Sequence, residues 1–286
     1  MAQWHKGAMA QWQRSAGAQR HNGKKEENKM ATNSVISVRN LFKKFGSFTA
    51  NDDLSFEVYQ GEIFGFLGAN GAGKTTALRI LSGLSQPTSG SVKVAGFDAK
   101  KEPEKIKKNI GYMCQKFSLY EDLTVKENIM LYGGIYGMKK SVIRERTENL
   151  LKRLNFEEYG NRLISALPLG LKQKLAFSVA VLHEPKIVFL DEPTGGVDPI
   201  TRRQFWEMIY ETAARGITVF VTTHYMDEAE YCDRISIMSE GKIVALDTPE
   251  NLKKQYQAGT VEEVFVKIAR PAAAVKGAQN YIPENN

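Results

Sequence analysis

The stretch Gly68-Ala69-Asn70-Gly71-Ala72-Gly73-Lys74-Thr75-Thr76 decides the fold of this 286-residue chain. It follows an apolar run, 63–67, that predicts a short buried strand. It precedes a second apolar run, 77–81, that predicts the first turns of a helix. The stretch contains the pattern G-x-x-x-x-G-K-[ST] in the strand–loop–helix context that phosphate binding demands. The sequence therefore predicts a phosphate-binding loop for a nucleoside triphosphate.

Each residue type in this loop has a role in holding phosphate. The glycines let the backbone bend so that successive N–H groups point at one anion, and the helix N-terminus adds partial positive charge. Lys74 can reach the β- and γ-phosphates, and the Thr75 hydroxyl can ligate Mg²⁺. The alternative is a glycine-rich turn without a ligand, but such a turn has no need of Lys and Thr at this offset.

The composition is that of a soluble globular protein, with 42% hydrophobic and 25% charged residues. No apolar run approaches the ~20 residues of a membrane-spanning helix. Cys114 and Cys232 lie far apart and fit neither a disulfide framework nor a metal-binding spacing, which predicts a reducing compartment.

The net charge of +7 is concentrated at the N-terminus. Residues 1–29 hold six Lys and Arg against two Glu, so the remaining 257 residues carry only +3. A surplus this small is a weak argument for nucleic acid, and we expect no nucleic-acid partner.

The N-terminal segment differs in character from the rest of the chain. Met1-Ala2-Gln3-Trp4 recurs as Met9-Ala10-Gln11-Trp12, and a polar run follows. Since the segment has no long apolar stretch and little surface to bury, we expect a disordered extension over 1–34 rather than a secretory signal. Contact with a membrane surface, a cloning remnant and a mis-assigned start codon, with Met30 as the true start, are the alternatives.

Periodic patterns predict an antiparallel β part followed by an inserted helical region. Residues 35–38 and 54–58 alternate like strands, and 91–98 predict a strand with a turn at Gly96. Between 119 and 182, apolar positions at helical spacing predict several helices, which we interpret as a helical subdomain over about 116–182. A charged helix, predicted over 100–108, precedes it, and an amphipathic helix is predicted over 201–214.

The C-terminal part predicts a hairpin formed by 235–238 and 242–246, and then a helix starting at Thr248. One more helix is predicted over 260–269, and disorder is predicted from Arg270 onward. We therefore expect an ATP-binding domain over 35–256 and a short C-terminal extension over 257–286. The fold class is α/β, with a P-loop NTPase sheet that has helices on both faces, an N-terminal antiparallel β part and the helical insertion.

Polar residues follow three further predicted strands. The apolar run 187–190 predicts a strand buried on both faces, and it ends in Asp191 and Glu192. The strand predicted over 218–223 ends at His224, and the one predicted over 110–114 ends at Gln115. Ligands of open α/β sheets bind at this edge, so Asp191 can hold Mg²⁺ through water and Glu192 can polarise an attacking water.

These motifs together resemble the nucleotide-binding subunit of an ATP-binding cassette (ABC) transporter, over residues 35 to about 256. The phosphate loop, Gln115, the region Leu167 to Gln173, Asp191-Glu192, Gly196-Val197-Asp198 and His224 occur in the family's order with near-family spacing. The segments 119–128, 191–199 and 223–230 resemble the drug- and lipid-export branch in particular.

The resemblance implies roles for individual residues. Phe45 would stack on adenine, although on spacing alone a core aromatic is an equal alternative. Glu192 would be the catalytic base, His224 the γ-phosphate switch, and Gln115 a sensor of the metal and the attacking water. Asp198 would bridge to a second subunit. The implied nucleotide-binding residues are Phe45, Gly68, Asn70, Gly71, Ala72, Gly73, Lys74, Thr75 and Thr76, and the implied Mg²⁺ ligands are Thr75, Gln115 and Asp191.

The resemblance also implies partners. Two cassettes, identical or different, would sandwich two ATP molecules head to tail. Each site would be completed by the other chain's signature region, here Leu167, Pro168, Leu169, Gly170, Lys172 and Gln173. The groove beside Gln115 would receive an integral membrane permease subunit at the cytoplasmic face of the cell membrane.

The signature region departs from the family's Leu-Ser-Gly-Gly, because Leu167-Pro168-Leu169-Gly170 stands in its place. The hydroxyl that would bond the γ-phosphate is missing, and so is one glycine. Pro168 is also a residue that commonly occupies the first helical position.

Two other functions are weighed against an exporter ATPase. One is a cassette acting on ribosomes or DNA, but this chain has one cassette and no long heptad run. The other is a regulatory module that holds ATP and scarcely hydrolyses it. The altered signature favours such a module, and the intact Glu192 argues against it.

Overall fold

The computed structural model describes residues 33–115 and 119–268. The disorder predicted for 1–34 and from Arg270 onward lies outside these ranges except at residues 33 and 34. There the prediction is wrong, because Ser34 is the first residue of a strand and pairs with Tyr59. Within the described ranges, no helix is both long enough and apolar enough to cross a lipid bilayer.

The described residues form ten strands and eight α-helices. The strands are β1 (Ser34–Phe45), β2 (Phe48–Tyr59), β3 (Ile63–Gly68), β4 (Ser89–Val94), β5 (Phe97–Asp98), β6 (Ile110–Met113), β7 (Ile187–Asp191), β8 (Thr218–Thr223), β9 (Arg234–Ser239) and β10 (Lys242–Asp247). The helices are α1 (Lys74–Leu81), α2 (Pro103–Asn109), α3 (Val125–Ile135), α4 (Lys140–Leu154), α5 (Leu169–Ala180), α6 (Pro199–Ala214), α7 (Pro249–Gln255) and α8 (261–268). Short 3₁₀ turns cover Glu157–Tyr159, Ile164–Ala166 and Glu228–Tyr231.

The larger sheet has the strand order β10-β9-β3-β8-β7-β6. Its strands run parallel except for β10, which pairs antiparallel with β9. Side chains on β3 alternate between two cores, with Phe64 and Phe66 in one and Ile63 and Leu67 in the other. Every residue of β3, β7 and β8 is buried. Burial on both faces explains why these strands are continuous apolar runs in the sequence.

The smaller sheet is antiparallel, with the order β2-β1-β4-β5, and it shares a core with α1 on one face of the larger sheet. Phe56 of β2 lies 5.7 Å from Phe64 and 5.6 Å from Phe66, measured between ring centroids. Contacts at these spacings are favourable for aromatic pairs. The packing holds β2 beside the phosphate loop.

Helices cover the opposite face of the larger sheet. Phe177 of α5 and Phe205 of α6 are fully buried there, with ring centroids 5.2 Å apart. Helix α3 starts with a capping box, since Glu127 N–H donates to Thr124 Oγ1 at 3.2 Å and Thr124 N–H donates to Glu127 Oε2 at 2.8 Å. The two faces confirm the predicted α/β class with helices on both sides of the sheet.

The structure extends the two predicted N-terminal strands into one long hairpin. The pairing of β1 with β2 contains register shifts, including one between Val38 and Leu41. Such shifts interrupt the alternation of period two on which the prediction depends. The prediction therefore recovered only the regular part of each strand.

Two helices begin at prolines rather than where the sequence predicted. Helix α2 starts at Pro103, not at residue 100, and α6 starts at Pro199, not at residue 201. Proline is favoured in the first turn because the N–H that it lacks would have no partner within the helix.

The C-terminal hairpin and both following helices are present as predicted. Thr248 caps α7 by accepting the N–H of Asn251 at 3.1 Å. Val261 and Val264 of α8 are fully buried in the core that α5 and α6 share. This helix therefore packs onto the same core as α5 and α6.

Candidate active site

The phosphate loop is held in shape by close backbone approaches. Gly73 has φ +100°, and a Cβ there would lie 2.3 Å from Ala50 O. Asn51 Nδ2 also donates to Gly73 O at 3.1 Å. Only glycine fits a position with this backbone angle and this little space. Strand β2 thus sets the geometry of the loop that ends at α1.

Lys74 is buried and folds over its own loop. Its Nζ donates to Gly68 O at 2.7 Å and to Ala69 O at 3.1 Å. Burial lowers the pKa of Lys74, while the neighbouring carboxylates of Glu192 and Asp191 act in the opposite direction. Asn70 and Gly71 are exposed, and Ala72 is buried. Thr75 and Thr76 lie in the first turn of α1, and Thr75 is exposed. The tip of the loop therefore faces solvent, while the lysine is held by the carbonyl groups of the loop.

The two acids predicted at the end of β7 occupy different environments. Asp191 is buried and accepts a 2.6 Å hydrogen bond from Thr222 Oγ1, and burial raises the pKa of this carboxyl. Glu192 follows with φ +49°, a left-handed conformation that is rare for a residue with a side chain. Its N–H donates to Thr222 O at 3.0 Å and lies 3.1 Å from Thr222 Oγ1. Thr222 of β8 therefore hydrogen-bonds to the Asp191 carboxylate and to the backbone of Glu192.

Three predicted site residues converge on the Glu192 carboxylate. Gln115 Nε2 donates to Oε2 at 2.8 Å, His224 Nδ1 lies 3.1 Å from Oε2, and Lys74 Nζ lies 3.9 Å from Oε1. The side chain of Glu192 is only 11% exposed. These residues follow β6, β8 and β3. Strands β6 and β8 flank β7 in the sheet order, and β3 lies on the other side of β8. The parallel strands thus bring a carboxylate, an amide, an imidazole and an ammonium group to one edge.

The predicted magnesium ligands are chemically suited to that ion. Thr75 offers a hydroxyl, Gln115 an amide carbonyl and Asp191 a carboxylate with one oxygen bonded to Thr222. Mg²⁺ prefers hard oxygen donors and keeps several waters, so few protein ligands suffice. The donor set therefore fits Mg²⁺ bound mostly through water and phosphate.

A cavity of about 380 Å³ joins this carboxylate to the predicted signature helix. Its lining includes Gln115, Glu192 and His224 together with Leu169 and Gln173 of α5. Within one chain, the start of α5 therefore lies beside Glu192.

The signature region is partly buried. Helix α5 begins at Leu169, one residue later than predicted. Pro168 is therefore its N-cap and not its first helical residue. Leu169 is exposed, and a Cβ on Gly170 would lie 2.7 Å from Thr201 Cγ2. Lys172 Nζ lies 2.9 Å from Glu121. Gly170 therefore permits close packing of α5 on α6.

Leu167 and Gln173 are the most buried of the predicted signature residues. They are only 4% and 7% exposed, and Gln173 Nε2 donates to Gly195 O of the same chain at 3.1 Å. Gln173 also lines the cavity beside Glu192. Contact of these two residues with a second chain stays a prediction.

Asp198 and Phe45 are both exposed. Asp198 caps α6, accepting the N–H groups of Ile200 and Thr201 at 3.0 Å and the Thr201 hydroxyl at 2.5 Å. Phe45 is 55% exposed, with Lys43 Nζ 4.8 Å from its ring centroid. Its exposure excludes the alternative of a core aromatic.

Sequence reasoning missed Thr222, Thr194 and Glu228, which surround the site from below. The signal for Thr222 was a polar residue at the end of an apolar strand next to a histidine. Thr194 and Glu228 carry no comparable local signal.

Comparison with known proteins agrees with this geometry. A family profile described as ABC transporter matches residues 51–195. The chain is 45% identical over 240 residues to the Probable multidrug ABC transporter ATP-binding protein YbhF of Escherichia coli, a match covering 82% of this chain and 42% of that relative. The chain thus spans less than half the length of that relative. It is 36% identical over 255 residues to the Doxorubicin resistance ATP-binding protein DrrA of Mycobacterium tuberculosis, covering 88% and 76% of the two chains.

Solved structures share the fold. One described as the structure of an ATP binding subunit of an ABC transporter aligns with TM-score 0.76 and 28% identity, covering 82% of this chain and all of that one. The dimeric ATP-binding cassette MJ0796, in a post-hydrolysis state with ADP and Pi, aligns with TM-score 0.68 and 27% identity, covering 74% and 98%.

Proposed function

Because this chain belongs to the ABC transporter family, we propose that it is the ATP-binding and ATP-hydrolysing subunit of an exporter. ATP would close two cassettes around two nucleotides, and this closure would drive a separate membrane permease subunit. The observation that carries the proposal is the convergence of Lys74, Gln115 and His224 on Glu192. Phosphoryl transfer needs groups that hold the phosphate beside a group that orients water.

The phosphate loop binds the nucleotide in this proposal. Backbone N–H groups from Gly68 to Gly73 and the N-terminus of α1 hold the phosphates, with Lys74 and Thr76 completing the contacts. Lys74 leaves its two carbonyl partners, or shares its three donors with them, to reach the β- and γ-phosphates. Phe45 stacks on adenine, which its exposure permits.

Thr75, Gln115 and Asp191 would hold Mg²⁺, which would neutralise charge on the phosphates. Glu192 accepts a proton from the attacking water as the water oxygen bonds to the γ-phosphorus. The bond from that phosphorus to the bridging oxygen breaks, which releases ADP and phosphate. His224, whose Nδ1 lies 3.1 Å from Glu192 Oε2, donates to the γ-phosphate of the bound nucleotide.

The second cassette supplies the remaining contacts. The exposed start of α5, from Pro168 to Gly170, and Lys172 would approach the phosphates bound by the other chain, with Asp198 beside that interface. The dimeric state of MJ0796 supports pairing of this kind.

The membrane partner would dock on the helical subdomain. Helix α3 and the residues before it expose large apolar side chains, which are common at protein interaction sites. They include Tyr120, Met130, Leu131 and Ile135. The names of YbhF and DrrA support export of drug-like molecules, and the site of action would be the cytoplasmic face of the cell membrane.

Steady-state ATPase of the purified chain, compared with Glu192→Gln, tests the catalytic proposal. A general base contributes about 10²–10⁴-fold, so turnover should fall by that range while ATP still binds. The matched control is Glu62→Gln, another buried glutamate, which lies at the start of β3 and at the opposite edge of the sheet. Its turnover should stay near wild type. Equal turnover of wild type and Glu192→Gln would remove Glu192 from the mechanism.

Affinity purification of the chain from solubilised membranes tests the transport proposal. An integral membrane protein should co-purify in stoichiometric amount. Recovery of ribosomes in its place would point to a cassette that acts in translation.

A further inference from the structure

A second buried carboxyl group lies beneath the active site. Glu228 begins the 3₁₀ turn Glu228–Tyr231, four residues after His224, and its side chain is fully buried. The hydrolysis scheme above gives it no role. A buried carboxylate is costly unless it is paired and hydrogen-bonded, so its contacts indicate what it does.

Glu228 accepts one hydrogen bond from the loop that follows Glu192 and one from the last residue of β8, which directly precedes His224. Thr194 Oγ1 donates to Oε1, and Thr223 Oγ1 donates to Oε2 at 2.7 Å. Thr194 lies two residues after Glu192, and Thr223 directly precedes His224. Thr223 Oγ1 also accepts the Tyr225 N–H at 3.0 Å, which fixes the backbone on both sides of His224.

Arg202 of α6 completes the cluster. Its Nε lies 3.7 Å from Glu228 Oε1, an ion pair too long for a hydrogen bond, and its Nη1 lies 3.3 Å from Asp227. Its guanidinium lies 4.4 Å from the ring centroid of Tyr225, the residue after His224. The cluster therefore joins α6 and both loops at one carboxyl group.

We propose that Glu228 is a positioning residue for ATP hydrolysis, whose carboxylate fixes the loop after Glu192 against the loop that carries His224. The inference rests on the proposed function, since it concerns the same Glu192–His224 pair. His224 Nδ1 and Glu192 Oε2 are 3.1 Å apart, so a shift of either loop by about one ångström would separate the groups.

The chemistry of the partners requires the ionised carboxylate. Two hydroxyl groups donate to its two oxygens, and the guanidinium of Arg202 supplies the opposite charge. Burial raises the pKa of Glu228, whereas these three partners lower it. An amide at this position has a single acceptor oxygen, so one hydroxyl would face an N–H donor. Arg202 would keep Asp227 as its acidic partner but lose the charge of Glu228.

The contacts of Glu228 described above, with Thr194, Thr223 and Arg202, do not involve the phosphate loop. That loop is held by Lys74 on Gly68 and Ala69 and by Asn51 on Gly73. Loss of Glu228 should therefore reduce the chemical step and leave nucleotide affinity intact, a split that general destabilisation would not produce.

The experiment measures kcat and KM for ATP hydrolysis, and the Kd for trinitrophenyl-ATP by fluorescence, for the full chain and its variants. Loss of a hydrogen bond to a charged group corresponds to about a 10- to 100-fold change, so Glu228→Gln should lower kcat by at least about tenfold. Its Kd should stay within about twofold of wild type. Thr194→Val, which keeps side-chain size and leaves the buried charge in place, should lower kcat in the same way. The double variant should lose no more than the larger single loss, because both changes break one link.

Glu62→Gln is the matched control, since Glu62 is also a buried glutamate paired with an arginine, Arg234, at 3.1 Å. A kcat for both Glu228→Gln and Thr194→Val within twofold of this control would overturn the inference. So would losses in kcat that are matched by an equal rise in Kd. Wild type and Glu192→Gln are measured in parallel. If these two are indistinguishable the proposed function has failed, and if they differ as expected the failure belongs to Glu228 alone.

Discussion

The start of α5 offers the sharpest test of how this cassette differs from its family. Pro168 is the N-cap and has no side-chain cap for the helix, and it contributes no N–H. Leu169 follows with its side chain 47% exposed beside the cavity that holds Glu192. The perturbation is the double variant Pro168→Ser, Leu169→Gly, which restores the family's Leu-Ser-Gly-Gly.

The expected magnitude follows from the N-cap geometry. Leu171 N–H and Lys172 N–H both donate to Pro168 O at 3.0 Å, a pattern that a serine backbone can keep. The side-chain oxygen of the serine introduced at position 168 would accept a backbone N–H of the first turn. The hydrogen of the same hydroxyl would remain free to donate to a phosphate on the second cassette. A hydrogen bond to a charged phosphate is worth ~1.5–3 kcal/mol, which corresponds to about 10- to 150-fold in closure.

The assay is steady-state ATPase of the isolated chain, with thermal unfolding of each variant as a control for helix capping. If identical chains pair and closure limits turnover, the double variant should be faster by about tenfold or more. Pro168→Ser alone should raise the melting temperature through capping, whether or not turnover changes. Unchanged turnover in a homodimer would refute the reasoning. It would mean that Gly170 and the helix N-terminus suffice.

Two further predictions concern the hydroxyl and the cap beside the site. Thr222→Val removes the 2.6 Å hydrogen bond to buried Asp191. The variant should lower the free energy of unfolding by ~1–3 kcal/mol in urea titrations. It should also raise the Mg²⁺ concentration needed for half-maximal ATPase. Thr218→Val on the same strand, whose hydroxyl accepts Gly61 N–H at 2.9 Å, should lower stability without that shift in Mg²⁺ dependence, and an equal shift in both would contradict the role of Thr222. Asp198→Asn should lower the melting temperature at neutral pH, because hydrogen bonds from Thr201 hold the pKa of Asp198 below its ordinary 3.8. The charge of the cap therefore contributes fully above pH 3.8, the ordinary value of the unfolded chain, and its contribution is lost as pH falls through the lower pKa of the folded state. A melting-temperature difference between the variant and wild type that persists at lower pH would show that the charge is not involved.

Local patterns in the sequence were sufficient to find the phosphate loop and the ends of the catalytic strands. The loop is contiguous, and its glycines, Lys74 and Thr75 have fixed offsets because backbone geometry fixes them. Asp191, His224 and Gln115 were found because each directly follows an apolar strand. The β1–β2 hairpin was found only in part, because its register shifts leave no regular alternation to detect.

Tertiary structure alone decided which of these groups touch. The strand order β3-β8-β7-β6 brings residues 74, 115 and 224 to the Glu192 carboxylate, and no local pattern encodes which strands are neighbours. The same holds for Glu228, which meets Thr194 across 34 residues of chain. It also holds for Gln173 of α5, which hydrogen-bonds to Gly195 O across 22 residues of chain. Hydrogen bonds between distant residues depend on packing of whole elements, and that packing is a property of the complete core.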